Sequence, residues 1–359
     1  MFSANANKTG FQNKLLASNL KPLTHFNNLS PKICFLNYDL MDKIALFSKK
    51  ENNPLKFPKQ LFIKVEKTIL LNSLDFENDE STQKPIQIKA TVSKEEYIKK
   101  VNALKQHIQQ GDIYEINYCI TFEAHDVCIN PIAIYQKLNA ISTAPYSALA
   151  KFNKQYIISS SPELFLSKKG NTLITKPIKG TAKRGLTEEE DDIIKEELQS
   201  NLKERNENVM IVDVARNDLS RFAKKGTVTV DKLCDIETYR QVHQMVSTVS
   251  CQLKENISFA DIIKATFPMA SMTGAPKIRA MQLIDDYEFY NRGPYAGALG
   301  YIDENGDFDL SVLIRSIFYD EEKKYLSFTV GSAITAMCNG EDEYEECLLK
   351  AKAMMDVLS

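Results

Sequence analysis

No apolar run in the 359-residue chain approaches the roughly 20 residues of a membrane-spanning helix, and no span is expected. An excess of one charge is also missing. The 45 Lys and Arg against 47 Asp and Glu leave a formal −2, with both signs interspersed and no basic block. Nucleic-acid binding would require a positive field, so a small ligand is the better expectation. None of the seven cysteines (Cys34, Cys119, Cys128, Cys234, Cys251, Cys338 and Cys347) belongs to a CxxC pair, which disfavours a disulfide framework or a thiolate zinc site. Phosphate-cradling GxxxxGK, dinucleotide GxGxxG and EF-hand loops are absent as well. The first residues, MFSANANKTGFQNKLL, lack the apolar core and cleavage pattern of a signal peptide, and a reducing cytoplasm is the expected compartment.

What is present fits a large mixed body of 40.7 kDa. Residues 1–32 are polar, with Phe2, Phe11, Leu15, Leu16 and Leu20 as packing points, and strands are expected at 33–36, 44–47, 61–67 and 68–71. Turns are expected at Asn52, Asn53 and Pro54 and across 75–83. Ser93 and Glu96 form a capping box that opens a helix with Tyr97, Val101, Leu104 and Ile108 on one face, closed by Gly111. A buried strand over 113–122 is interrupted by Glu115 and Asn117; a helix over 131–138 and strands at 147–152 and 156–159 follow. Strand ends at 164–166 and 172–174 are joined around Lys169-Gly170, a hairpin pattern. The charged stretch 183–208 reads as one helix with Ile193, Ile194, Leu198 and Leu202 on one side, entering a polar core near Asp213, Arg216, Asn217 and Asp218. Residues 227–230 read as a strand, 237–253 as a helix bearing His243, and 258–267 as a helix ended by Pro268. A small-residue loop over 271–277 enters an amphipathic helix over 278–287, with Thr273 or Gly274 as its cap and Pro276 in its first turn. Strands at 296–302, 308–318 and 326–330, a Gly331 to Ala333 turn and an acidic last helix complete the chain.

Several residues offer chemistry. A hairpin returns Glu163 and Lys179 to one sheet edge, and Lys179 sits in Pro-Ile-Lys-Gly-Thr, where Gly180 permits close backbone approach and Thr181 adds a hydroxyl. Lys179 is either a nucleophile or base, or a turn lysine at the surface. Glu204 and Glu207 are three apart, as are Glu343 and Glu346, so each pair stacks on a helix face. Two such pairs in one pocket would repel unless a cation such as magnesium joined them; the alternative is two surface helices. Arg315 suits bidentate carboxylate recognition, or it reaches solvent from a sheet end. The 271–277 loop exposes helix-start N–H groups to an anion, or is a plain junction. His243 is either a packed residue or an active-site group.

The ordered set GDIYEIN from Gly111, SPELF from Ser161, PIKGT from Pro177, KERNENVMIVDVARNDL from Lys203, TGAPKIRAM from Thr273, GPYAGALGY from Gly293 and IRS from Ile314 resembles the chorismate-utilising enzymes. Within them the chain is similar to the aminodeoxychorismate synthase component I branch, from about Ser93 to the C-terminus. The resemblance implies an α+β fold of two packed antiparallel β-sheets with outer helices. It also implies a short N-terminal part, 1–92, integrated with a catalytic core, 93–359.

The implied reaction joins chorismate and ammonia to give 4-amino-4-deoxychorismate for 4-aminobenzoate and folate synthesis. Anthranilate synthase component I, or a catalytically idle chorismate-binding partner, is the alternative. PIKGT discriminates, because anthranilate synthases usually carry alanine where Lys179 stands. By resemblance Lys179 attacks C2, Glu163 is the general acid for the leaving C4 hydroxyl, and His243 lies near the ring carboxylate. Glu207 and Glu346 match direct magnesium ligands, supported by Glu204 and Glu343. Arg315, assisted by Tyr295, matches the receptor of the enolpyruvyl carboxylate. Ser271, Thr273 and Gly274 match a wall of the site; Thr181, Lys350 and the backbone at Gly331, Ser332 and Ala333 complete the implied substrate contacts. Where the family loop reads Gly-Gly-Gly or Gly-Ala-Gly this chain has Gly331-Ser332-Ala333, and alanine at the third position takes up space and φ freedom. Glu115 occupies the position of the water-activating lysine of isochorismate synthases, which disfavours hydration at C2. A separate glutamine amidotransferase is the expected source of ammonia, since His25, His107 and His125 accompany no reactive cysteine in the sequence.

Overall fold

The computed structural model describes residues 2–3, 14–17, 30–43, 53–70, 86–239 and 242–359. In chain order the strands and helices are β1 (Phe2–Ser3), β2 (Lys14–Ala17), β3 (Lys32–Leu36), β4 (Gln60–Lys64), β5 (Lys67–Leu70), β6 (Lys89–Ala90), α1 (Lys94–Gln109), β7 (Glu115–Ala124) and α2 (Pro131–Ser142). The middle of the chain supplies β8 (Tyr146–Phe152), β9 (Gln155–Ser161), β10 (Leu164–Lys169), β11 (Thr172–Lys176), β12 (Ile178–Lys183), α3 (Glu188–Ser200), α4 (Leu202–Ser220), β13 (Thr229–Thr238) and β14 (Val242–Gln252). The last part gives α5 (Phe259–Thr266), β15 (Gly274–Ala275), α6 (Lys277–Tyr287), β16 (Ala298–Ile302), β17 (Phe308–Val312), β18 (Ser316–Asp320), β19 (Tyr325–Ile334) and α7 (Gly340–Asp356).

Two antiparallel sheets result. One runs β15-β7-β19-β18-β9-β8-β1-β2-β5, with β6 also on β7; the other runs β12-β14-β11-β10-β17-β16-β3-β4, with β13 also on β14. The two-residue period of a strand explains their stacking. Ala148, Ala150 and Phe152 on β8, Ile157 on β9 and Phe318 on β18 face the second sheet, where they meet Phe35, Phe165, Leu299 and Leu310. Alternate residues Leu149, Ile158, Ile317 and Tyr319 point the other way, into a second core with α1, α2 and α7. This is the expected α+β arrangement of two packed sheets with outer helices. The N-terminal strands β3 and β4 join the second sheet through β16. Among the described residues, no helix is long and apolar enough to cross a membrane.

Local chemistry accounts for many boundaries. Ser93 accepts a hydrogen bond from the Glu96 N–H at the start of α1, and Gly111 leaves its end at φ +82°. The hairpin around Lys169-Gly170 forms, with Lys169 paired to Thr172. The expected strand at 44–47, the turns at Asn52 and 75–83, and the packing points Phe11 and Leu20 lie outside the described residues.

Five expectations are corrected. The stretch read as a helix over 237–253 is mainly β14. Val242, Val246, Thr248 and Val249 are β-branched, and a strand buried on both faces carries apolar residues at helical spacings by coincidence. The single charged helix is two, because Asn201 takes an extended backbone (φ −63°, ψ 111°) and caps α4 by accepting from the Lys203 and Glu204 N–H groups; Leu202, beyond the break, is exposed. The strand over 308–318 divides at Arg315, whose φ of +51° cannot continue a ladder. Gly331 to Ala333 form no turn: they lie within β19, paired to Cys119, Tyr118 and Asn117. At α6, neither Thr273 nor Gly274 caps; Pro276 holds the N-cap position without a side-chain bond, and Gly274-Ala275 pairs with β7 instead.

Candidate active site

Lys179 enters the site from a distortion in β12. The register of β12 against β14 shifts between Ile178 and Thr181, and Gly180 adopts φ +87°. That bend brings α4 close: a Cβ on Gly180 would lie 3.0 Å from Glu204 Oε2. The Lys179 side chain is 10% exposed, and its Nζ stands 2.5 Å from Glu115 Oε1 on β7, itself 1% exposed. The pair bridges the two sheets. Burial pulls the Lys179 ammonium down, but the carboxylates of Glu115, Glu207 and Glu346 outweigh it and hold the group above an ordinary lysine. At rest Lys179 is charged.

Glu163 occupies the β9–β10 junction and is also buried. Its Oε1 accepts a 2.5 Å hydrogen bond from Ser271 Oγ, in the short 3-10 turn Ala270–Met272. Burial pushes the carboxyl up to about 7, against the Ser271 bond and the Lys179 charge. A carboxyl so placed keeps a proton near neutral pH, the state a general acid needs.

The two acidic pairs come together through α4 and α7. Lys203 Nζ lies 3.0 Å from Glu343 Oε1, tying the two helices, and Lys350 Nζ lies 2.5 Å from Glu346 Oε1. Glu207 Oε1 and Glu343 Oε2 are buried without a hydrogen-bond partner. Burial pushes Glu207 up to about 7, and it raises Glu204 and Glu343 as well. On Glu346 burial also acts upward, yet Lys350, Lys203 and Lys179 prevail and the group is lowered. Among the described residues no three His, Cys, Asp or Glu side chains are grouped tightly enough to hold a metal alone. Two orphaned carboxylate oxygens in an anionic pocket nevertheless fit an ion such as magnesium, which takes few protein oxygens and retains waters or substrate oxygens.

Arg315 supplies the opposite charge. Its Nη1 donates to the Lys350 carbonyl at 3.1 Å, and no carboxylate among the described residues forms an ion pair with it. Burial lowers its pKa, with Tyr295 and Glu346 acting the other way. A largely desolvated guanidinium with free donors is suited to a carboxylate ligand.

A buried lysine, a carboxyl pushed up to about 7, an acidic pocket and an unpaired arginine thus share one region. The family model for chorismate binding enzymes matches residues 7–356. The chain belongs to the chorismate-binding enzyme family. It is similar to the chloroplastic aminodeoxychorismate synthase of Arabidopsis thaliana, 41% identical over 73% of this chain and 28% of that protein. It is similar also to anthranilate synthase component 1 of Acetivibrio thermocellus, 39% identical over 76% of this chain and 54% of that protein. The chain therefore spans about half or less of the length of these relatives. Among solved structures, anthranilate synthase component I from Streptococcus pneumoniae superposes with a TM-score of 0.81 at 26% identity, covering 94% of this chain and 83% of that one.

Other expected residues of this family member take varied places. His243 is buried on β14, with Nδ1 2.9 Å from Thr238 Oγ1 and Nε2 2.9 Å from Asp191 Oδ1, which Arg184 also grips. Its ring thus braces β13 and α3, and neither Glu163 nor Lys179 hydrogen-bonds it. Thr181 is exposed on β12. The Thr273 hydroxyl donates to the Met269 carbonyl at 3.1 Å. Gly274, at φ +151°, lies where a Cβ would collide with the Glu115 carbonyl, so only glycine lets β15 close on β7. Tyr295 is buried beside Cys119, at 3.6 Å from its sulfur. Gly331 accepts from Lys350 Nζ at 2.9 Å, Ser332 Oγ meets Tyr97 OH at 2.8 Å, and Ala333 is buried in the same strand.

Lys203 was not singled out from sequence, and Glu115 was singled out only as the counterpart of the isochorismate synthase lysine. Glu115 was visible as a charge interrupting an apolar strand, and Lys203 as the residue preceding the first acidic pair. Gln244, opposite Thr181 in register, is buried with Oε1 unpartnered.

Proposed function

We propose that this chain is the chorismate-aminating component of an aminodeoxychorismate synthase, making 4-amino-4-deoxychorismate on the route to 4-aminobenzoate and folate. One observation carries the reading: Lys179, a nucleophilic side chain, is buried in the same region as Glu163, a carboxyl that retains its proton near neutral pH. The Lys179 amine, once deprotonated, bonds to C2 while the C4–O bond breaks, and Glu163 gives its proton to the departing hydroxyl as water. Ammonia then bonds to C4 and the C2–N bond to Lys179 breaks. Arg315 holds one substrate carboxylate and supplies orientation.

Glu207 and Glu343 offer open oxygens for magnesium, with Glu204 and Glu346 beside them. A bound ion would neutralise the pocket and draw in the second substrate carboxylate. Glu207→Gln and Glu343→Gln are each expected to weaken magnesium binding by about tenfold or more. The rise in melting temperature that magnesium gives the parent should shrink accordingly. Equal magnesium-induced shifts in parent and both variants would refute the assignment.

A glutamine amidotransferase is the proposed source of the ammonia. Six of the seven cysteines are buried, and none hydrogen-bonds a histidine among the described residues. The test is product identification from pure chain, chorismate, magnesium and an ammonium salt. A product that a separate lyase converts to 4-aminobenzoate supports the proposal. Anthranilate and pyruvate as the main products would favour the anthranilate synthase reading, to which the 39% identity with the Acetivibrio thermocellus enzyme also points.

A further inference from the structure

We infer that Glu115 is the base that takes the proton from Lys179 and frees its amine for attack; this rests on the proposed aminating reaction. An amine that attacks carbon must first lose a proton, and the acceptor has to be in hydrogen-bond reach of the nitrogen. Glu115 Oε1, at 2.5 Å from Lys179 Nζ, is the only hydrogen-bond acceptor found for that nitrogen among the described residues. Five carboxyls act on the lysine: Glu115 on β7, Glu163 at the β9–β10 junction, Glu204 and Glu207 on α4, and Glu346 on α7. Their engagements differ. Glu163 is hydrogen-bonded by Ser271, Glu346 is paired to Lys350, and Glu207 acts on Lys179 only through its field.

The second oxygen adds an independent observation. Glu115 Oε2 is buried without a partner, in a side chain only 1% exposed. A buried carboxylate oxygen without a donor carries a desolvation penalty. Proton transfer from Lys179 cancels both buried charges at once and leaves a neutral amine beside a neutral acid, at the cost of the attraction that holds the proton on the lysine at rest. The backbone fixes the geometry: Ala275 pairs with Glu115, and Tyr114 N–H donates to the Ala275 carbonyl at 2.7 Å. Gly274 permits this contact, so the loop of the site wall also holds the base in place.

The step balances. The Lys179 ammonium and Glu115 carboxylate become amine and carboxylic acid. The amine then bonds to C2, the C4–O bond breaks, and the hydroxyl leaves as water with the Glu163 proton. The adduct nitrogen is left as a secondary ammonium. Glu115 and Glu163 thus divide the work, one as base and the other as acid.

Two assays on the full chain separate this role from the functional reading. In the first, Lys179 is acetylated with acetic anhydride from pH 6 to 10 and quantified by peptide mass spectrometry. Glu115→Gln is expected to move the reactivity profile of Lys179 to lower pH, because a carboxylate that favours the ammonium has gone. Coincident profiles would overturn the pairing. In the second, turnover of chorismate with magnesium and ammonium is compared. Glu115→Gln is expected to lose about 100-fold or more in kcat with KM for chorismate little changed. Glu115→Ala should be partly rescued by formate, which a purely structural role would not allow. Parent-like kcat in Glu115→Gln, or no formate rescue of a folded Glu115→Ala, would overturn the base assignment. A parent chain that turns over no chorismate would remove the functional reading and this role with it, while the acetylation profiles would still report whether the ion pair exists.

Discussion

Exchange of Lys179 for alanine is expected to abolish formation of 4-amino-4-deoxychorismate while substrate binding persists. Arg315 and the acidic pocket, which hold the two ends of the ligand in this account, are untouched by the change. Residual turnover should shift toward direct attack of ammonia at C2, the anthranilate type of outcome. Lys179→Arg should be poor in both reactions, since guanidinium stays protonated and is bulkier than an amine. Loss of the fold is the competing explanation, because removing one partner of a buried ion pair costs about 3–5 kcal/mol. The pair variant Lys179→Ala with Glu115→Gln removes the stranded charge. It should recover thermal stability without recovering amination. Retained magnesium-induced stabilisation and chorismate affinity in the single variant would complete the control.

Glu163→Gln has two large expected effects with opposite signs. Turnover should fall by about 10²–10⁴-fold, the usual worth of a positioned acid, because the amide cannot deliver a proton to the leaving hydroxyl. Stability should rise, in a way set by pH. The folded carboxyl is pushed up to about 7 from an ordinary value of 4.5. The folded state therefore holds this proton more tightly than the unfolded state does. No penalty exists below the unfolded value; stability is lost as pH rises through the window from 4.5 to about 7 and stays lost above it. A shift of that size corresponds to roughly 3 kcal/mol. Glu163→Gln should melt several degrees above the parent at pH 8 and near it at pH 5, as calorimetry or a thermal-shift series would record. A variant that melts lower than the parent at both values would show that Glu163 is a structural carboxylate.

Much of the site was legible because its chemistry is local in sequence. Glu204 with Glu207 and Glu343 with Glu346 announce helix faces by spacing alone, and both pairs lie on helices, α4 and α7. The hairpin between Glu163 and Lys179 was visible in Lys169-Gly170, whose turn residue has φ +58°. The two-sheet architecture followed from the ordered motifs rather than from periodicity.

What stayed hidden depends on contacts across the sheets. Glu115 and Lys179 are 64 residues apart and meet only because β7 and β12 belong to different sheets. From sequence, Glu115 was a charge interrupting an apolar strand and the counterpart of the isochorismate synthase lysine, with nothing to show that it meets Lys179. His243 was placed on the wrong kind of element: its segment is a strand, and the ring braces Asp191 and Thr238. A strand buried on both sides loses the alternation that would mark it, and β14 is flanked by β11, β12 and β13. Arg315 was read as a strand residue because nothing in Leu313-Ile314-Arg315-Ser316 signals a left-handed backbone, a conformation uncommon for a residue with a long side chain.

The central claim is that Lys179 becomes bonded to the substrate during turnover. Intact-protein mass spectrometry of the parent chain, mixed with chorismate and magnesium and deprived of ammonia, tests it most directly. The account predicts a species heavier by chorismate less one water, mapping to the peptide that contains Lys179 and absent from Lys179→Ala. Turnover on adding ammonium, with no such species trapped beforehand or with the same species on the alanine variant, would contradict it.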